Sequence, residues 1–207
     1  SNIMSAGDWS YQDMISKLGQ PIDKTEWFML PQTVNAYYSP NRNEIVFPAA
    51  ILQPPFFNIN ADPAVNYGAI GGVIGHEMGH GFDDQGSKSD GDGVLRNWWT
   101  SADEAAFVAK TDALVGQYDA FCPLDNGQAC VNGRLGLGEN TGDLGGLSMA
   151  YKAYKMSLDT NSDGTISVSE QAPIIDGYTG DQRFFMAWAQ VWRTIYREAA
   201  LRQQLIR

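Results

Sequence analysis

The chain has 207 residues, 43% of them apolar and 12% aromatic, enough for one ordinary domain with a core and too much for a disordered segment. Its 14 basic and 24 acidic side chains give a formal charge of 14 − 24 = −10, which argues against nucleic acid and anionic membrane surfaces as partners. No apolar run approaches the roughly 20 residues that span a bilayer. No signal-peptide pattern opens the chain either, so it is expected to be mature, cytosolic or cut from a longer polypeptide.

Residues 1–20 are expected to be a lead-in, with Ser1-Asn2 compatible with a cloning scar. Within it "DWSYQDMISKLG" predicts a short helix that Gly19 stops. "VNAYYSPNRNEIVFPAAIL" predicts two strands around a Ser-Pro-Asn turn, and "QPPFFNINADPA" a loop. A helix is predicted from about residue 64 to 82, although it carries Gly68, Gly71, Gly72, Gly75, Gly79 and Gly81. Each glycine costs about 1 kcal/mol of helix propensity relative to alanine, so this helix must be buried against close neighbours. "SKSDGDGVL" is turn-rich, and Thr100 to Glu104 opens a helix expected to reach about Tyr118.

Cys122 and Cys130 flank the polar loop "CPLDNGQAC". The pair reads as a local disulfide, with two free thiols as the alternative. A metal site at this pair is not expected, because no further Cys or His is available to complete it. "GENTGDLGGLSMAYKAYKMSL" predicts a second buried, glycine-rich helix. From Asp181 to about Leu205 one long helix is expected, with Phe184, Trp188, Val191, Trp192, Ile195 and Ala199 on a single core-facing stripe. There are no repeats. The expected fold class is mainly α with a small β-sheet, as one unit over residues 21–207.

"IGHEMGHGFDD" holds His76 and His80, the only histidines in the chain. Residues four apart share a helix face, so both imidazoles can reach one ion at about 2.1 Å. Glu77 lies one step round, the position for a general base acting on a metal-bound water. The alternative is two ordinary histidines on a helix. The third ligand cannot be histidine; it is a carboxylate or a cysteine. Glu139 stands out, because a carboxylate at the start of a buried helix needs a partner or a metal. Asp143, four residues on, suits either an orienting role toward an imidazole or a proton relay, and Asp83 suits the orienting role toward the other imidazole. For Glu139 and Asp143 the alternative is compensation of the helix dipole.

"VNAYYSPNRNEIVFPAAILQPPFF", "GGVIGHEMGHGFDDQG", "LGENTGDLGGL" and "GDQRFFMAWAQVW" together resemble the catalytic region of the neprilysin and endothelin-converting-enzyme family of zinc peptidases. The resemblance runs from about residue 21 onward. It implies a thermolysin-like zincin catalytic subdomain, with zinc on His76, His80 and Glu139, Glu77 as general base, and Asp143 as an orienting or proton-donating carboxylate. It implies that Asn35 and Ala36 hold the substrate backbone, and that Phe56, Val73 and Trp192 line the pocket for the residue after the cleaved bond. The implied activity is endopeptidase cleavage of peptides before apolar residues. The family's localisation, with the cysteine pair, implies a periplasmic or extracellular setting. The family pattern continues past the Asp181 helix with an oxyanion histidine and a substrate-binding arginine, and carries a helical N-terminal lobe. Against that pattern the chain is expected to be a truncated subdomain whose parent supplies the lobe and the C-terminal segment. The second reading is therefore a zinc-binding but inactive fragment.

"DTNSDGTISVSE", residues 159–170, departs from the family and fits an inserted EF-hand-like calcium loop. Asp159, Asn161 and Asp163 take the first, third and fifth places. Gly164 takes the sixth, the Thr165 carbonyl the seventh, Ser167 the ninth through water, and Glu170 the twelfth. The entering helix should end near Leu158, and Pro173 should cut the exiting helix short. A structural calcium ion is expected; the alternative is a surface turn that binds nothing.

Overall fold

In the computed structural model, which describes residues 1–205, two glycine-rich helices packed against each other position the site. The last two residues of the expected 21–207 unit lie outside the described residues. The first of the two helices is composite. Pro63–Asn66 (α2) has proline at its first turn, where the missing N–H is no loss. A π-helical stretch, Tyr67–Gly71, follows, and then Gly72–Gly79 (α3). The second long helix runs Leu137–Leu158 (α5). The expected helix over 64–82 is thus present but ends at Gly79, and it is interrupted by a π segment that periodicity does not reveal. Within that segment the Ile70 N–H donates to the Phe56 carbonyl at 3.0 Å, tying the preceding loop to the helix.

The other elements follow the expected order. Asn2–Ser16 is a helix (α1) that starts earlier than its sequence suggests and buries no residue. Tyr37–Ser39 (β1) and Glu44–Val46 (β2) pair antiparallel, with Tyr37 opposite Val46 and Ser39 opposite Glu44. Ser101–Asp119 (α4) is capped by Thr100, whose hydroxyl accepts from the Asp103 N–H. Cys122 and Cys130 are joined as a disulfide in the loop between α4 and α5. The architecture is mainly helical with a two-stranded sheet.

The long C-terminal helix needs correction. Helix α6 spans only Gly180–Val191, and a separate helix, Glu198–Gln204 (α7), follows a break. Trp192 is 55% exposed and Ile195 96% exposed, so the core stripe stops with α6. Phe184 and Ala187 are buried. Beyond them the run Trp192 to Tyr196 contains weak helix formers, and a helix without a packed face does not hold together on propensity alone.

Two apolar clusters draw on the composite helix of residues 63–79. Ala36, Ile51, Ile70 and Val73 form one, with Phe47, Phe56, Phe57 and Trp188 against it. Ala64, Ala150, Tyr154 and Phe184 form the other, in which the Tyr154 and Phe184 rings stack 5.8 Å apart. Buried Arg183 on α6 pairs with Asp62, the N-cap of α2, at 2.7 Å and also donates to the Pro173 and Tyr178 carbonyls. That ion pair fastens α6 to the helix that leads into the histidines.

Candidate metal centre

His76, Glu77 and the following turn lie on α3, and His80 is its C-cap. Both imidazoles are held by carboxylates through the same nitrogen. His76 Nδ1–H donates to Asp143 at 2.7 Å, and His80 Nδ1–H to Asp83 at 2.7 Å. Asp83 is itself fixed, because its other oxygen accepts the Gln85 and Gly86 N–H groups at 2.8 and 2.7 Å. This leaves the two Nε2 atoms to face a common point. Glu139 Oε2, in the first turn of α5, approaches them at 3.3 and 4.0 Å.

These spacings fit one tetrahedral ion. Bonds of about 2.1 Å at tetrahedral angles separate donor atoms by about 3.4 Å. The His76, His80 and Glu139 donors all lie within 4.8 Å of one another, the one such group among the described residues. Two imidazole nitrogens and one carboxylate oxygen, leaving one position open, are the donor set of a catalytic rather than a structural zinc site.

Glu139 corrects part of the sequence argument. The sequence leads one to expect a buried carboxylate, yet its side chain is 73% exposed and opens onto the cleft. The imidazoles around the cleft, rather than burial, mark it. The hydrogen bond from His76 holds its carboxyl below the usual range. Glu77, by contrast, is 5% exposed. Burial pushes its carboxyl up, opposed by the neighbouring imidazoles, which brings it toward the range useful to a base. Burial disfavours charge on His76, but hydrogen bonds to Asp143 and Glu139 outweigh it, and the imidazole is pushed up to about 10. The bond to Asp83 likewise raises His80. Burial opposes ionisation of Asp83, and the bonds it accepts from His80, Gly86 and Gln85 prevail and lower it.

Asn35, Ala36, Tyr37 and Tyr38 line the cleft together with His76, Glu77, His80 and Glu139, around a volume of about 250 Å³. The segment that becomes β1 therefore faces the donors along one side. Val73 is buried in the cluster that includes Phe56 and Trp188, and the Trp192 ring leans on Trp188 at 5.6 Å between centroids. Phe56, Val73 and Trp192 thus lie around one apolar region. The sequence reading missed Tyr38, whose hydroxyl donates to Asn43 at 3.0 Å. It also missed Gly142, which lies against the His76 ring. The signal for Gly142 was the matched i, i+4 glycines in "GHEMG" and "GDLGG".

The candidate calcium residues fall out differently. Gly164 has φ +84° at the turn, as expected. Asp159 accepts the Gly164 N–H at 2.8 Å, and Asp163 accepts the Thr165 N–H at 2.8 Å. Glu170, however, is turned onto its own chain, accepting from the Thr160, Asn161 and Ser167 N–H groups. Asn161 Nδ2 donates to Asp163. The loop's carboxylates do not gather into a metal-sized group as the histidine-side donors do. A 3-10 turn, Val168–Glu170, stands where an exiting helix would begin.

Comparison with known proteins places these features in context. The pattern describing peptidase family M13 matches residues 35–207. Neprilysin-11 of Caenorhabditis elegans is 44% identical over 199 residues, covering 96% of this chain and 23% of that protein. Endothelin-converting enzyme 1 of Homo sapiens is 42% identical over 205 residues, covering 99% and 26%. The crystal structure of Mycobacterium tuberculosis zinc metalloprotease ZMP1 in complex with an inhibitor superposes with a TM-score of 0.86 at 55% identity, covering 95% of this chain and 29% of that one. The chain thus spans about a quarter of the length of the curated relatives it matches.

Proposed function

The chain belongs to peptidase family M13, and from that premise we propose that it forms the catalytic subdomain of a zinc-dependent endopeptidase. The observation that carries the proposal is the meeting of His76, His80 and Glu139 in a metal-sized group beside the buried carboxylate of Glu77. Zinc, when bound there, supplies a Lewis acid that polarises a carbonyl and acidifies a water. Glu77 accepts a proton from the attacking water as the new C–O bond forms, and returns it to the amine nitrogen as the C–N bond breaks. Asp143 and Asp83 hold the two imidazoles in the tautomer that turns Nε2 to the cleft. Asn35 and Ala36 offer backbone to an extended peptide, which is supported by their place along the cleft beside the donors, just ahead of β1. Phe56, Val73 and Trp192 receive an apolar side chain after the cleaved bond.

The subdomain reading takes residues 21–207 as the working unit and 1–20 as a lead-in; the absence of any buried residue in α1 supports that division. The chain's share of its relatives' length, about a quarter, supports reading the remaining wall of the cleft as the work of a lobe and a C-terminal segment of a longer polypeptide. The disulfide supports an oxidising compartment, periplasmic or extracellular. No helix among the described residues is long and apolar enough to cross a membrane. Zinc analysis combined with hydrolysis of a quenched peptide, with and without chelator, tests the proposal. One zinc per chain with chelator-sensitive cleavage is the expected result. Zinc without cleavage would favour the inactive-fragment reading, and no zinc would defeat both.

We propose in addition that residues 159–170 take a calcium ion. The order of donors along the loop and the positive φ at Gly164 support it. Glu170 must exchange its bonds to Thr160, Asn161 and Ser167 for the ion, which implies weak binding.

A further inference from the structure

On the reading that the cleft holds zinc, we infer that the affinity of this chain for zinc is set by glycines that touch no metal. Gly75 and Gly79 on α3, with Gly142 and Gly146 on α5, act as positioning residues. The two helices meet backbone to backbone at these four positions. A Cβ added to Gly75 would lie 2.7 Å from the Gly146 Cα, and one added to Gly146 would lie 2.7 Å from the His76 Cα. One added to Gly79 would lie 3.1 Å from the Gly142 Cα. Carbon atoms sit best at about 3.5–4.0 Å, so an alanine at Gly75 or Gly146 is roughly 1 Å short of room. The obstacle is main chain on both sides, which cannot swing away as the end of a side chain can. Metal sites, by contrast, hold their bond lengths within about 0.2 Å. The displacement needed to admit one methyl is several times that tolerance.

The geometry of His76 makes the link to the site direct. A Cβ on Gly142 would lie 3.0 Å from His76 Nδ1 and 3.1 Å from Cε1. The bare backbone at Gly142 lets the imidazole lie against α5 and reach Asp143, the next residue, at 2.7 Å. One turn earlier on the same helix, Glu139 reaches His76 Nε2 at 3.3 Å. The spacing of α3 and α5 therefore fixes one donor helix against the other, and glycine is the residue that permits that spacing. Close contact alone is not the distinguishing feature. Gly68 is equally crowded, with its added Cβ 2.8 Å from the Phe184 carbonyl carbon, but that contact is with α6 and away from the donors.

The test compares these two kinds of crowded glycine in the full chain. Zinc affinity is read by chelator competition, and ligand geometry by the visible spectrum of the Co²⁺-substituted protein. Wild type is measured first; if it binds no zinc, the cleft reading fails before any glycine is tested. Gly142→Ala and Gly79→Ala should lose about 10- to 100-fold in affinity, the range seen when groups behind metal ligands are altered, and should shift the Co²⁺ bands. Gly146→Ala and Gly75→Ala should lose more; where they do not fold, the two milder variants carry the test. Gly145→Ala, whose Cβ meets nothing within 4 Å, should keep wild-type affinity and spectrum. Gly68→Ala should melt earlier yet keep both. Wild-type affinity and spectrum in Gly142→Ala and Gly79→Ala would overturn the inference. So would an equal loss in Gly68→Ala, since affinity would then follow the stability of the fold.

Discussion

Residues 76–143 and residues 159–170 both carry metal-ligand spacing, and they solve the same problem in opposite ways. In the first region the donors come from two helices, α3 and α5, and rigid packing brings them together before any ion arrives. Each imidazole already has its other nitrogen occupied by a carboxylate, so little remains to be arranged. In the second region all donors lie within twelve consecutive residues, and their carboxylates are already bonded to their own backbone. They form no metal-sized group among the described residues. A contiguous motif states which atoms could bind; the tertiary contacts decide how much reorganisation binding requires.

The largest expected effect tests whether the preorganised region is a working centre. Glu77→Gln keeps the size and hydrogen bonding of the side chain but removes its capacity to accept a proton. Hydrolysis in the full-length parent should fall by about 10²-fold or more, with zinc content unchanged. Retention of more than about a tenth of the activity would show that another group is the base, against that expected range. Loss of zinc together with activity would show that Glu77 serves the site's architecture instead.

A smaller effect should come from the carboxylates behind the ligands. Asp143→Ala leaves His76 Nδ1 without its acceptor and should weaken zinc by about 10- to 100-fold. Asp83→Ala should do the same at His80 and also destabilise the fold, because Asp83 holds the Gln85 and Gly86 amides. Isothermal titration on both variants, beside thermal melts of the zinc-free proteins, separates the two contributions. Equal zinc affinity in Asp143→Ala and wild type would remove the orienting role from Asp143.

Acidity sharpens the same contrast. In the zinc-free protein His76 is raised to about 10 by its carboxylate partners, against about 6.5 in an unfolded chain. A raised imidazole contributes stability that is fully present below the unfolded value and is lost as pH rises toward 10. The zinc-free fold should therefore become less stable from about pH 6.5 upward. Zinc displaces that proton, so apparent zinc affinity should rise across the same window, by up to about tenfold per pH unit for each proton released. Chelator competition at several pH values checks this. A flat profile would mean that the imidazoles are already neutral in the free protein.

How far the sequence could be read follows the same division between local and tertiary information. His76, Glu77 and His80 were legible because their spacing is a property of one helix, and Thr100 because a cap is local. Glu139 was legible as a candidate ligand, but for the wrong physical reason: it is exposed, and only the fold shows that the imidazoles meet it. The glycines of the two helices were legible as a demand for close packing, yet not as partners of each other. The break after Val191 was illegible, because the periodic pattern continues through Trp192, Ile195 and Ala199 while the packing that would sustain it does not. The π segment at Tyr67–Gly71 left no trace in the pattern at all.

The smallest expected effect lies in the loop itself. Calcium must pull Glu170 away from the Thr160, Asn161 and Ser167 amides, so a dissociation constant near 1 mM is the reasonable target, the weak end for such loops. At about 10 mM calcium, binding to the folded state alone would stabilise by about 1.4 kcal/mol. For a chain of this length that is a rise of a few degrees in melting temperature. Asp159→Ala and Glu170→Gln should each abolish the rise, while Glu77→Gln should leave it intact, since the two regions share no donor. Magnesium at the same concentration should give less, because it prefers six ligands at short distances and gives up its waters reluctantly. A rise that persists in Asp159→Ala would come from calcium elsewhere on this acidic surface. No rise in wild type would leave residues 159–170 as a turn held by its own hydrogen bonds, with the ligand order a coincidence of an Asp-, Asn- and Gly-rich turn.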